Sequence, residues 1–295
     1  MATFNGLQWL HEQVNSILEQ VGVNVVLFIS DDFSTDGTWE WLQEFSNHDS
    51  RVILLPRTRK LGGPGANFYR LLLDADFNRC DYIAFSDQDD IWMLDKLSRQ
   101  VDIANLGNFD GVSSNVTAFW QDGSSVLIKK SQSQQKFDYL FESAGPGCTF
   151  LMTPWLASEL RKLLGDSASC AKDVAVHDWL AYAVCRAAGK YWHIDAAPTV
   201  MYRQHETNAF GANHGLQAWI FRLNKIKNRW YRNEVMKISR VCTALACDFS
   251  HKNLTQLLHE ESLINRIKLL RHAGEFRRRA NERVALILAI FLFVF

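Results

Sequence analysis

Apolar positions near the start of the chain switch between two periods. Leu7, Leu10, Val14, Ile17, Leu18 and Val21 recur at helical spacing, and Asn24–Ile29 follows as a β-rich run ending in Ser30-Asp31-Asp32. The alternation then repeats. A polar turn, Phe33–Thr38, offers Ser34 and Asp36 as caps for a short helix from Trp39 to Phe45. Val52–Leu55 reads as a short buried strand. The basic, glycine-rich loop Arg57–Gly65 leads into a helix near Ala66–Leu73. Asp81–Ser86 is a strand, and a helix is expected from about Trp92 to Leu106. Strands alternating with helices predict an α/β fold with a mostly parallel central sheet flanked by helices.

After Gly107 the rhythm changes. Val112–Trp120 and Val126–Lys130 are predicted strands around the Asp122-Gly123 turn, followed by a polar loop to Lys136. Gly145-Pro146-Gly147-Cys148-Thr149 is a second loop. A helix starts at Pro154, a residue suited to a first helical turn. Val174–Ala188 reads as a helix with His177-Asp178 near its start. Tyr191–Asp195 and Thr199–His205 read as strands, and a polar loop runs from Glu206 to His214. From Gln217 onward the pattern is helical, which predicts a C-terminal helical extension. Two units follow: a body over 1–215 and a basic extension over 216–295.

Charge sharpens that division. The net charge is zero, yet residues 1–215 hold 17 Lys+Arg against 26 Asp+Glu, and residues 216–295 hold 15 against 6. The basic blocks are Arg222–Arg232 and Arg266–Arg283, and the chain ends in the apolar run Val284–Phe295. Twelve residues are too few to cross a bilayer, which needs about 20. Basic helices with an apolar end suit an anionic membrane surface, so peripheral contact through 216–295 is the expectation. The competing readings are packing on the body or a homo-oligomer interface. Nucleic acid is not an expected partner. The six cysteines form no C-x-x-C pair or zinc spacing, and no secretory signal is visible, so the expected compartment is the cytoplasm.

The chemistry gathers at strand ends. Asp31-Asp32 closes one strand. Asp87-Gln88-Asp89-Asp90 closes another, with Asp87 and Asp89 on one face of an extended backbone. In a doubly wound sheet both ends lie on one rim, and a nucleoside diphosphate explains both. One carboxylate would accept the N3–H of a pyrimidine base. The other cluster would hold Mg2+ or Mn2+ on the diphosphate. The bland alternative is two helix caps, with Asp90 structural at the start of the following helix. Arg59–Gly65 is not a P-loop, since Lys60 precedes the glycines and no Gly-Lys-Ser/Thr follows. It either brings cations or N–H groups near phosphate or is a plain loop. Asp178 either offsets a helix dipole or deprotonates an acceptor hydroxyl.

The segments Ala2–Gly6, Ser30–Thr38, Phe85–Trp92, His177-Asp178-Trp179 and Tyr202–His205 together resemble glycosyltransferase family 2, the GT-A fold, in its bacterial rhamnosyltransferase-like branch. The resemblance covers about residues 1–215. It implies an inverting, metal-dependent transfer of a sugar from a nucleotide-diphosphate sugar, dTDP-rhamnose or a UDP-sugar, to a glycan or lipid-linked glycan at the cytoplasmic face of the inner membrane. Thr3 and Phe4 would line the nucleotide pocket and Asp32 would contact the base. Asp87 would serve both nucleotide and metal, and Asp89 would be the more direct metal ligand. Asp178 would be the base. Arg203 and His205 would lie near phosphate or metal. Gly147, Cys148 and Thr149 would border the acceptor.

Two departures stand out. The family carries a full strand before the Ala-Thr-Phe-Asn-Gly segment, whereas this chain starts at Met1; either the true start lies upstream or the edge of the site is incomplete. Relatives often place an acidic residue where His177 stands. The rival readings are a sugar-phosphate nucleotidyltransferase and a non-catalytic scaffold subunit. The first would want a Gly-rich, Lys/Arg-bearing segment where Thr3–Gly6 stands.

Overall fold

The computed structural model describes residues 1–205, 229–246, 249–260, 262–292 and 295. The sequence expectations for 206–228, including the basic stretch from Arg222, lie outside the described residues.

The N-terminal layer follows the predicted alternation with one addition. Ala2–Thr3 forms β1, which the apolar pattern did not announce. Then come α1 (Leu7–Leu18), β2 (Leu27–Asp31), α2 (Thr38–His48), β3 (Val52–Leu54) and α3 (Pro64–Asp74). β1, β2 and β3 are parallel, in that order. Leu10, Val14, Ile17 and Leu18 of α1 bury the predicted helical face against Leu27, Ile29 and Leu42.

The second layer is a mixed sheet. Its strands are β4 (Ile83–Ala84), β5 (Ile91–Trp92), β6 (Gly111–Phe119), β7 (Ser125–Ile128), β8 (Leu151–Met152) and β9 (Trp192–Arg203), and its helices are α4 (Lys96–Gly107), α5 (Pro154–Gly165) and α6 (His177–Ala187). The order is β4-β8-β6-β9-β5, with β7 paired to β6. Only β6–β9 is parallel here, so the mostly parallel sheet expected holds for the first layer and not for this one. One backbone bond, Ala2 N–H to Ser86 O at 3.2 Å, joins the layers at the end of β4. Two predicted boundaries moved. Ile91-Trp92 pairs with Val200-Met201 as a strand, so α4 starts at Lys96 rather than Trp92. The two predicted strands after Tyr191 are one, carrying Pro198 at a register shift opposite Asn115, where the missing N–H costs no regular ladder bond.

The extension contributes α7 (Trp230–Leu245), α8 (Phe249–His259), α9 (Leu263–His272) and α10 (Ala280–Phe291). Val235, Ile238, Cys242, Phe276 and Phe295 share one continuous core with Phe141, Trp179 and Leu180 of the body. The basic block expected to face a membrane turns inward in part. Arg277 bonds Phe141 O (2.7 Å) and Glu282; Arg278 donates to Glu142 (2.6 Å) and Ser143 O (2.6 Å); Arg279 bonds Lys129 O. Each guanidinium here satisfies carbonyls and carboxylates that packing has removed from water. No helix among the described residues is long and apolar enough to cross a membrane.

Candidate active site

The first carboxylate pair lies at the end of β2, beside β1. Asp31 and Asp32 face different tasks because successive strand residues point to opposite sides. Asp31 is fully buried. It accepts from Thr3 Oγ1 (3.0 Å), Ser34 N–H (3.0 Å) and Arg57 Nε (2.8 Å). Asp32 accepts the backbone N–H of Leu61 (2.5 Å) and Gly62 (2.8 Å). The Arg59–Gly65 loop therefore supplies N–H donors, as one of its two readings required, but to a carboxylate. Gly62 adopts φ +84°, a left-handed conformation that glycine tolerates. A carboxylate has about four lone-pair sites, so Asp32 retains capacity for a base N3–H.

Phe4 is half exposed, and Gln88 clasps its backbone from both sides: Phe4 N–H to Gln88 Oε1 at 2.8 Å and Gln88 Nε2 to Phe4 O at 3.0 Å. Lys60 Nζ lies 5.5 Å from the centre of the Phe4 ring. A Cβ on Gly6 would meet the Gln88 amide at 2.3 Å, so the clasp needs glycine there. Thr3 is buried and both its polar groups are engaged: the hydroxyl donates to Asp31, and the carbonyl accepts Asp32 N–H (2.9 Å) and Asn67 Nδ2 (3.2 Å).

The carboxylates after β4 lie at the other end. Asp89 Oδ2 is 2.8 Å from His205 Nε2, and the His205 ring stacks on Trp9 with centroids 4.1 Å apart. Arg203 donates to Asp89 O (2.7 Å) and Glu12 (2.5 Å), so this guanidinium braces the turn. The carboxylate of Asp87 receives no hydrogen bond among the described residues. Burial pushes its pKa up to about 7, with the charges of Asp89 and then Asp178 adding to the effect. Asp90 is buried and accepts Arg203 N–H (3.1 Å), which braces β5 against β9; it does not start the following helix, which begins six residues later.

Asp178 sits in the first turn of α6. Trp179 N–H donates to it at 2.5 Å, and the nearby Lys130 charge, the Gly147 backbone and Ser143, whose hydroxyl donates to Gly145 O (3.0 Å), favour its ionised form. Burial nonetheless raises its pKa to about 6. His177 stacks on Phe68 (3.8 Å) and meets Phe85 edge-on, and burial lowers its pKa to about 3. That imidazole is neutral at physiological pH, and its Nε2 has no partner among the described residues. It packs where a Cβ on Gly147 would approach Nε2 to 2.6 Å. Gly147 therefore borders the site through its backbone. Cys148 and Thr149 are fully buried: Cys148 lies against Asp90, and Thr149 bonds Pro146 O (2.7 Å). Their side chains stand behind the carboxylates rather than at the expected acceptor mouth.

The charges of Asp89 and Asp178 both raise the pKa of Asp87, whereas Asp32 is engaged by the loop. Among the described residues a carboxylate oxygen of Asp87, one of Asp90 and Cys148 Sγ lie within 4.8 Å of one another. Hard carboxylate oxygens gathered in this way fit a divalent cation such as Mg2+ or Mn2+. Sequence reading missed Gln88, Ser143, Trp9 and the Asp31–Arg57 pair. Gln88 alone carried a signal, since it points away from Asp87 and Asp89 on the extended run.

Residues 1–150 match the family described as glycosyl transferase family 2. The dTDP-rhamnosyl transferase RfbG of Shigella flexneri is 42% identical over 296 residues, spanning 100% of both chains. An Escherichia coli protein, UDP-Glc:alpha-D-GlcNAc-diphosphoundecaprenol beta-1,3-glucosyltransferase WfgD, is 30% identical over 150 residues, covering 50% of this chain and 56% of its own. The crystal structure of S. aureus TarS 1-349 in complex with UDP-GlcNAc superposes with a TM-score of 0.58 at 14% identity, over 93% of this chain and 72% of the TarS 1-349 chain, which shows a shared fold. With half its length inside the family profile and its whole length aligned to a rhamnosyl transferase, the chain belongs to glycosyl transferase family 2, in the rhamnosyltransferase-like branch.

Proposed function

We propose that this glycosyltransferase moves rhamnose from dTDP-rhamnose, with inversion, to a hydroxyl of a cell-surface glycan acceptor. The donor assignment is supported by the full-length likeness to RfbG. The mechanism rests on one observation: Asp178, with its pKa raised toward neutrality, couples electrostatically to Asp87 across the site. Asp32 accepts the N3–H of the base and Phe4 offers its ring as a platform for it. Asp87 and Asp89 would hold Mg2+ or Mn2+, which when bound offsets charge on the departing nucleoside diphosphate. His205 orients Asp89. Asp178 takes the acceptor proton as the oxygen attacks the anomeric carbon, and a single displacement inverts that carbon. A lipid-linked acceptor is the reading that accords with WfgD, whose printed substrate is a diphosphoundecaprenol sugar.

Asp178→Asn keeps shape and removes the base. Transfer is expected to fall by about two decades or more while donor binding is retained. Donor binding measured with dTDP, beside transfer from dTDP-rhamnose, checks this; wild-type turnover by Asp178→Asn would remove Asp178 from the role.

Peripheral membrane contact belongs to the α9–α10 hairpin. Ile264, Ile267, Val284, Leu288 and Phe291 are each more than half exposed there, and Lys268 and Arg271 are exposed on the same face of α9. Apolar side chains bordered by cations match an anionic lipid surface. Sedimentation with phosphatidylglycerol vesicles should carry the enzyme down, and Leu288→Glu with Phe291→Glu should release it. A dimer that hides this face and ignores vesicles would assign it to a second copy.

A further inference from the structure

One charged group beside the base is not used by the chemistry above. Lys130 follows β7, where Asn115 Oδ1 accepts the backbone N–H of Lys130 (2.6 Å) and of Ser131 (3.0 Å). That clasp, at the register shift of β6, fixes where the side chain leaves the hairpin. Its methylenes then run along Gly145, where an added Cβ would lie 3.6 Å from Lys130 Cγ. Charges reach it from three directions: Arg278, Arg279 and Glu282 of the extension, Glu142 of the loop before Gly145, and Asp178 at the head of α6.

The neighbouring carboxylates are already engaged. Glu142 is bonded by Arg278 through N–H (2.6 Å) and Nη2 (3.2 Å). Glu282 pairs with Arg277 and with Arg279 Nη1 at 3.7 Å. Asp138 is bonded by Tyr182 (3.0 Å) and paired with Arg186 (3.2 Å) and Arg278 (3.4 Å). The ammonium of Lys130 has no hydrogen bond or ion pair among the described residues. Arg278, only 6% exposed, keeps its Nε–H without an acceptor. Burial, with Arg279 next, holds the Lys130 pKa below its ordinary value. Lys130, which is part-buried, is the donor an anion can meet, and the buried Arg278 guanidinium adds positive charge behind it; an unsatisfied buried donor costs about 1–3 kcal/mol.

We propose that Lys130, backed by Arg278, forms an anion subsite for the acceptor, which carries a phosphate or diphosphate near the hydroxyl that Asp178 deprotonates. The inference rests on the reading of Asp178 as base and names the acceptor class for that site. A phosphate suits the corner because it brings more than one negative charge and several acceptor oxygens to the Lys130 ammonium, with the Arg278 charge behind it. The extension thereby has a catalytic purpose: Arg278 and Arg279 tie it to Ser143 O and Lys129 O, on either side of the subsite.

Octyl diphosphate is the probe. Its binding is measured calorimetrically in EDTA, where a metal-dependent donor site is silent, to wild type, Lys130→Met and Lys130→Arg, each checked for an unchanged melting temperature. Binding should weaken about tenfold or more in Lys130→Met and be largely kept in Lys130→Arg. Equal binding to wild type and Lys130→Met, or none to wild type, overturns the subsite. A kinetic arm compares octyl glycosides with their glycosyl-diphosphoryl-octyl counterparts. The wild-type preference for the charged acceptor should collapse in Lys130→Met through KM. An unchanged preference with a shifted acid limb of the pH–rate profile means that Lys130 only tunes Asp178, which also overturns the proposal. Lys130-dependent probe binding without sugar transfer to either acceptor keeps the subsite and sinks the transfer reading instead.

Discussion

The two carboxylate clusters on the sheet rim look alike in sequence and are opposites in electrostatics. After β2, the inner member Asp31 is saturated: a threonine, a serine and Arg57 all bond it. After β4, the inner member Asp90 has one oxygen on Arg203 N–H and the other without a nitrogen or oxygen donor among the described residues, beside the buried Cys148 thiol. The outer members differ the same way. Asp32 is held by two backbone N–H groups, whereas Asp87 has no donor and a pKa pushed up to about 7. A carboxylate pair neutralised by its own protein is a scaffold for hydrogen-bond recognition. A cluster whose buried members have few donors of their own suits a cation as its partner.

The sharpest way to break this contrast is Asp89→Ala. The second cluster would lose the carboxylate that His205 orients, and turnover of the nucleotide sugar is expected to fall by about two to three decades. Nucleotide release at saturating Mn2+ reads the effect. Near-normal release would make the second cluster as structural as Asp31. The mirror experiment is Asp31→Asn, which leaves Arg57 facing a neutral amide. Loss of one member of a buried pair costs about 3–5 kcal/mol, with Arg57 partly solvated and so toward the lower end. Chemical denaturation should show that loss, with activity per folded molecule changing far less. An Asp31→Asn protein of wild-type stability but poor turnover would move Asp31 into the reaction.

The contrast also marks what a sequence can carry. Alternating apolar periods announced the first layer nearly element by element, because each helix there buries a regular stripe and each strand is bounded by polar turns. β1 escaped because two residues have no period. Ile91-Trp92 was read into a helix because a dipeptide strand is made by its partner, β9, and not by local preference. Asp32, Asp87, Asp89 and Asp178 could be singled out in the sequence because each stands where a strand run or helical pattern begins or ends; the roles proposed for them come from the family resemblance. Their surroundings were not legible: Gln88 and Lys130 act across 84 and 48 residues, as in the hydrogen bonds of Gln88 to Phe4 and the charge of Lys130 on Asp178. The arginines at 277–279 misled most. Their charge suggested an anionic surface, but the carbonyls and carboxylates they satisfy belong to a distant loop.

Asp178 offers the finest test of the comparison, because it shares the unrelieved state of the second cluster. Its pKa rises from 3.8 to about 6 on folding, chiefly through burial. Between those values the folded chain keeps a proton that the unfolded chain has lost. Stability therefore falls as pH rises through the window and stays lowered above it. Asp178→Asn removes the ionisation, so it should stabilise the enzyme on the order of 2 kcal/mol near neutral pH, with the gain fading toward about pH 4. In the wild type, where the base must be ionised, transfer should drop about tenfold per pH unit below about pH 6. Melting curves for both proteins across that range, beside the pH–rate profile, give the two readings. A variant no more stable than wild type, with a flat acid limb, would mean that Asp178 is relieved of its charge much as Asp31 is, and the electrostatic divide between the two clusters would have to be redrawn.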